Sequence, residues 1–232
     1  MFFARAADRD AAQAALAARF DVSAIDVPDD DWARRSQENL EPITVGRVTV
    51  VPNPESRIPN PDAIVIPPSM AFGTGHHATT ALCLEALQAI DLTGRNVLDV
   101  GTGSGVLAIA AVRLGARRAL GIDSDEDAIR TARENLALNP EAAAQVAFDV
   151  ADLAATDLRE GLAPDVVIAN LTGALLVRAA ARLLTAVASG GTLILSGIQA
   201  DERPEVVHAF AGTAIEWERL VDDWVALVLK KR

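Results

Sequence analysis

From residue 96 onward the chain alternates short runs of branched apolar residues with longer stretches of helical periodicity. The apolar runs fall at 96–100, 119–122, 146–148, 165–169 and 191–195, and the helical stretches near 104–114, 125–138 and 174–187. Strands alternating with helices of this size predict βαβ units around a mostly parallel, twisted sheet. The pattern then changes. Residues 214–220 and 224–229, separated by Val221-Asp222-Asp223, predict a C-terminal antiparallel hairpin. The fold class expected is therefore a Rossmann-like α/β domain closed by a hairpin.

Ahead of this domain the pattern is less regular. Residues 8–20 are alanine-rich with apolar positions at helical spacing, and 2–4 and 22–27 read as short flanking strands. Asp29-Asp30-Asp31 before Trp32 suits the N-terminus of a second helix reaching about Leu40. Residues 43–51 alternate apolar and polar positions as one strand. Pro52, Pro54, Pro59, Pro61, Pro67 and Pro68 then mark a linker that carries one short strand at 63–66. This divides the chain into a small α+β N-terminal unit (1–51), a proline-rich linker (52–69) and the main domain (70–232).

Composition narrows the function classes. With a formal net charge of -11, the surface repels a phosphate backbone, so no direct nucleic-acid partner is expected. The same charge attracts a basic protein, although it also serves plain solubility. No apolar run reaches the roughly 18 residues of a membrane span, and the N-terminus lacks a secretory apolar core. A single cysteine, Cys83, precludes an internal disulfide and fits the cytoplasm. Cys83 lies on an apolar helical face, as a core residue would.

The strongest chemical signal is Asp99-Val100-Gly101-Thr102-Gly103-Ser104-Gly105. A buried strand here runs into a glycine turn and then a helix. Glycines let backbone approach a ligand closely, and the helix start offers N–H groups to an anion. Dinucleotide enzymes place a further glycine where this chain has Val106, which counts against a nicotinamide cofactor. Gly101, Gly103 and Gly105, preceded by the acidic Asp99, are instead similar to the first motif of class I methyltransferases.

Asp123 follows the next strand, where a carboxylate can accept the hydroxyls of a ribose; it can equally cap the following helix, as can Asp125. Asp152, past the third strand, falls where an adenine contact belongs. Val166-Val167-Ile168-Ala169 deliver Asn170 to the carboxyl edge of the sheet, where its amide can accept a hydrogen bond from an incoming amine, or simply make a turn. In Met70–Thr80, glycines make a loop and Thr79 and Thr80 either cap the next helix or meet a ligand. His76 and His77 invite a metal, but only His208 and Cys83 remain as further soft ligands and no ligand spacing exists.

Together AFGTGHHATT, VLDVGTGSGVLAIAA, GIDSD, VVIANLTGALL, GGTLILSGI and EWERLVDDWVALVLKKR resemble the PrmA family, bacterial methyltransferases of large-subunit ribosomal protein eleven. The resemblance covers most of residues 29–232. It implies S-adenosyl-L-methionine as cofactor, contacts on Thr80, Gly101, Asp123 and Asn170, and a lysine or N-terminal amine of a protein as acceptor. It also implies a ferredoxin-like N-terminal recognition domain, than which residues 1–51 are shorter. A small-molecule or RNA methyltransferase, and a cofactor-binding module without activity, are the alternatives on the same fold.

Overall fold

The computed structural model describes residues 12, 13, 15–17, 41–57, 60, 62–68, 77–153 and 163–232. By contacts the chain divides into Met1–Asn39 and Leu40–Arg232. In the first unit Ala12, Gln13, Ala15 and Leu16 are helical, with the Ala17 N–H donating to the Gln13 carbonyl at 2.9 Å. The remaining elements expected before residue 41 lie outside the described residues.

The second unit opens on a three-stranded sheet of β1 (Ile43–Val45), β2 (Val48–Val51) and β3 (Ile64–Val65), in that order. The single strand expected over 43–51 is thus a hairpin. Gly46, at φ +57°, makes the turn that an extended reading passes over. The proline-rich stretch is no free connector, because Ala63, Ile64, Val65 and Ile66 are buried. Asn139 holds β3 by its side chain, accepting from the Val65 N–H at 2.9 Å and donating to the Val65 carbonyl at 2.8 Å.

The main sheet has seven strands: β4 (Asn96–Val100), β5 (Arg118–Asp123), β6 (Val146–Val150), β7 (Val166–Asn170), β8 (Thr192–Gln199), β9 (Thr213–Val221) and β10 (Trp224–Lys231). Their order is β6-β5-β4-β7-β8-β10-β9. The first five are parallel, and β10 and β9 close the sheet antiparallel, as the pattern of the sequence predicts. Among the described residues of this unit, α1 (Ala78–Gln88) precedes the sheet, and α2 (Val106–Arg113), α3 (Glu126–Ala137), α4 (Gly173–Ala186) and α5 (Arg203–Ala209) lie between its strands. Helix α5 has no counterpart in the sequence reading, since seven residues with Pro204 in the first turn carry too little periodicity.

Alternation along the strands sorts the core. Val97, Ile168 and Ile194 pack with α1, α2 and α3, whereas Leu98, Val167 and Leu195 pack with α4 and α5. Both faces are covered, so the central strands read as continuous apolar runs. Among the described residues no helix is long and apolar enough to cross a membrane.

Strand order matters most for the site. Chain direction through the sheet reverses between β4 and β7, and ligands of open α/β sheets bind at the carboxyl ends of strands beside such a reversal.

Candidate cofactor and acceptor site

A cavity of about 540 Å³ opens at that reversal, within the size range of small-ligand pockets. Its lining brings together Thr80, Gly101, Gly103, Asp123, Asp152 and Asn170, six residues expected from sequence at separate points of the chain. Val100, Ile122, Leu153 and Leu175 give it apolar wall.

The glycine turn is built for close approach. Gly101 adopts φ +72° and Gly103 φ +52°, a left-handed backbone that strains any side chain. A Cβ on Gly101 would lie 2.5 Å from Leu171 Cδ2, so Leu171 already fills that space. Gly105 does not line the cavity. It stands one step behind, at φ +81° as N-cap of α2, and a Cβ there would lie 2.5 Å from Phe148 Cζ. Gly105→Ala is therefore expected to cost on the order of 3 kcal/mol, from left-handed strain plus overpacking. Urea unfolding measures it, and a loss under about 1 kcal/mol contradicts the packing argument.

Asp123 ends β5 and faces the turn. Its Oδ2 accepts from the Gly103 N–H and its Oδ1 from the Asp125 N–H, each at 3.1 Å. The helix cap falls to Asp125, which accepts from the Asp127 N–H at 2.9 Å. Each Asp123 oxygen keeps lone-pair capacity beyond these single bonds.

Beneath the turn, Asp99 is fully buried and its Oδ2 accepts from the Thr102 hydroxyl at 2.6 Å. Its Oδ1 has no hydrogen-bond partner of good geometry. Burial pushes this carboxyl up to about 6, against the Thr102 hydroxyl and the Ala108 N–H, and the charge of Asp123 adds to the rise. Cys83 is buried nearby; desolvation, with the Asp99 charge behind it, drives the thiol far above its ordinary value, which suits core and not a nucleophile.

On the β7 side of the cavity, Asn170 ends its strand and pairs with Ser196 of β8. Thr79 and Thr80 are buried in the first turn of α1, whose N-cap is His77, its Nδ1 2.9 Å from Thr79 Oγ1. The threonines therefore line the cavity and do not cap the helix. Residues 70–76, including His76, lie outside the described residues.

Among the lining residues that sequence reasoning did not assign to the cavity are His77 and Trp224. The His77 and Trp224 rings meet edge to face, 5.1 Å between centroids at 68°, and both line the cavity. The signal lay in register: Trp224 starts β10 opposite Gln199, at the carboxyl end of β8.

The donor set fits S-adenosylmethionine. A turn without side chains, a carboxylate at the tip of β5 and apolar wall beside Asp152 border one cavity.

A family model described as ribosomal protein L11 methyltransferase (PrmA) matches residues 3–232. The chain belongs to this family. It is 45% identical over 190 residues to the ribosomal protein L11 methyltransferase of Geobacter metallireducens, covering 81% of this chain and 61% of that protein. With the one from Pelobacter propionicus it shares 44% over 215 residues, 88% of this chain and 68% of the relative. The chain thus spans little more than three-fifths of the first of these relatives and about two-thirds of the second. The crystal structure of a ribosomal protein L11 methylase from Lactobacillus delbrueckii subsp. bulgaricus superposes with a TM-score of 0.71 at 29% identity, covering 83% of this chain and 100% of that one. An RNA methyltransferase from Salinibacter ruber in complex with S-adenosyl-L-homocysteine reaches 0.51 at 19% identity, over 63% of this chain and 88% of the other, which is a likeness of fold alone. The PrmA fold is a class I, S-adenosylmethionine-dependent methyltransferase fold.

Proposed function

We propose that this chain transfers a methyl group from S-adenosylmethionine to an amine of a protein, with large-subunit ribosomal protein eleven as the first candidate acceptor. The observation that carries this reading is one cavity shared by the Gly101–Gly103 turn, Asp123 and Asn170. The relatives' names supply the candidate acceptor, and the net charge of -11 suits a basic partner. The compartment that goes with such a substrate is the cytoplasm. In this reading recognition falls to residues 1–51, of which 40–51 belong to the same compact unit as the catalytic residues 70–232.

The cofactor, when bound, supplies a methyl already activated on a sulfonium. What remains for the protein is alignment and a neutral acceptor nitrogen. Asp123, the glycine turn and Thr80 hold the donor, and Asp152 borders the adenine end. A lysine amine titrates near 10.4 in water and an α-amine near 8, so the acceptor must reach the site without its proton. Entry past Trp224, Leu171 and Leu175 strips water from the amine, which favours the neutral form. The Asn170 amide oxygen then accepts an N–H from the amine and turns its lone pair toward the methyl.

The deciding experiment is transfer of labelled methyl from S-adenosylmethionine into a cell lysate, with mass spectrometry of the labelled proteins. Label on ribosomal protein eleven supports the reading; label on another protein replaces the acceptor; label only on RNA overturns it. For the acceptor so found, Asn170→Ala is expected to lower kcat about 100-fold. Cofactor affinity, followed by calorimetry, changes by less than about tenfold. A loss confined to cofactor affinity, with kcat intact, assigns Asn170 to cofactor binding alone.

A further inference from the structure

Strand β8 carries an irregularity beside the site. Against β10, Ile198 pairs with Val225 and Leu195 with Leu227, so Ser196 and Gly197 together oppose the single residue Ala226. Two residues against one is a β-bulge, and Gly197 sits in it at φ +81°, a left-handed backbone that favours glycine. Bulges beside sites re-aim side chains.

The bulge touches each segment on the acceptor side. The Ser196 carbonyl accepts from the Leu171 N–H at 3.0 Å. The buried Ser196 hydroxyl lies 3.3 Å from the Thr79 carbonyl and 3.4 Å from that of Val225, long bonds to the start of α1 and to the residue after Trp224. Gly197 itself lines the cavity, and a Cβ there would overlap the Leu171 carbonyl oxygen, 2.9 Å from its carbon and 3.2 Å from Asn170 Oδ1. The Asn170–Leu171 backbone therefore stands where it does because position 197 has no side chain.

We propose that the Ser196–Gly197 bulge positions the acceptor amide: Gly197, acting through the Leu171 carbonyl, sets where Asn170 presents its oxygen to the cavity. This rests on Asn170 being the acceptor residue. In this reading the glycine turn and Asp123, at the ends of β4 and β5, hold most of the donor. The bulge therefore acts mainly on turnover.

The test is Gly197→Ala beside Gly190→Ala. Gly190 also has positive φ, +68°, but a Cβ there meets nothing within 4 Å, so it shares the backbone strain without the contact. With the acceptor found by lysate labelling, Gly197→Ala is expected to lose about 100-fold in kcat, with S-adenosylmethionine affinity by calorimetry within about threefold. Gly190→Ala keeps both. Should the alanine variant fold poorly, Gly197→Asn carries the same Cβ on a residue that tolerates left-handed backbone, and the same loss is expected. A readout independent of the acceptor is the side-chain amide of Asn170 in nitrogen-15 NMR, assigned by its disappearance in Asn170→Ala. That signal is expected to shift in Gly197→Ala and to stay in Gly190→Ala. An unmoved amide with unchanged kcat overturns the proposal, as does an equal loss in Gly190→Ala. If Asn170→Ala itself keeps full kcat, the acceptor reading fails instead, and the two failures are told apart.

Discussion

Replacing Asp123 with alanine is expected to weaken S-adenosylmethionine binding at least about 100-fold while leaving the sheet intact. A factor of 100 is about 2.7 kcal/mol. Hydrogen bonds to a charged group contribute about 1.5–3 kcal/mol each, and a ribose diol offers two hydroxyls to this carboxylate. The substitution also releases the Gly103 N–H, held at 3.1 Å, so the turn loses its tether to β5. The helix start does not suffer equally, because Asp125 keeps its own bond to the Asp127 N–H. Asp123→Asn retains one acceptor oxygen and falls between the two. Calorimetric titration decides the matter, and an alanine variant within about tenfold of the parent removes Asp123 from the ribose.

The second large effect concerns Asp99 and is a matter of pH. Its carboxyl is pushed up to about 6 by burial, so the folded chain holds this proton more tightly than the unfolded chain does. Stability from this group is therefore full below the ordinary carboxylate range near 4. It falls as pH rises toward 6, because there the folded state binds more protons than the unfolded one. Above that the fold carries a buried charge whose Oδ1 lacks a hydrogen bond. The loss amounts to about 3 kcal/mol, since each pKa unit is 1.36 kcal/mol. Asp99→Asn keeps an acceptor for the Thr102 hydroxyl and cannot ionise. Relative to the parent it is expected to gain about 3 kcal/mol between pH 4 and pH 7, whatever fixed cost the amide brings. Urea unfolding at both pH values gives the difference directly; a gap that does not widen rules out Asp99 as the titrating group. The negative charge also suits a cationic ligand, so the variant is expected to trade cofactor affinity for stability.

Much of this site was legible because its parts are local. A strand that ends in a glycine turn, an acidic residue after the next strand and an asparagine after another each announce themselves within a few residues. Parallel order then carries Gly101, Asp123 and Asn170 to one edge of the sheet. What stayed hidden depends on pairing between distant segments. Trp224 reads as the first residue of an ordinary strand until its partner Gln199 is known. Gly197 lies past the end of the apolar run at 191–195, and only the count against Ala226 makes it part of a bulge. The two strands within 43–51 left a signal that an extended reading passes over: the apolar positions shift from 43 and 45 to 48 and 50 across Gly46-Arg47. Helix α5 was too short for periodicity to speak.

The order of strands at the antiparallel end differs from the order in which they are made. β9 precedes β10 in the chain, yet β10 lies between it and β8. While the polypeptide is being synthesised, β9 has no neighbour to join until β10 emerges and docks on β8. Until then the edge of β8 stays open, and Ile215 and Leu220, still exposed in the finished fold, belong to a strand with no partner. An unpaired apolar edge of this kind recruits strands from other chains. Closure of the β9–β10 hairpin onto β8 is therefore the step that covers this edge.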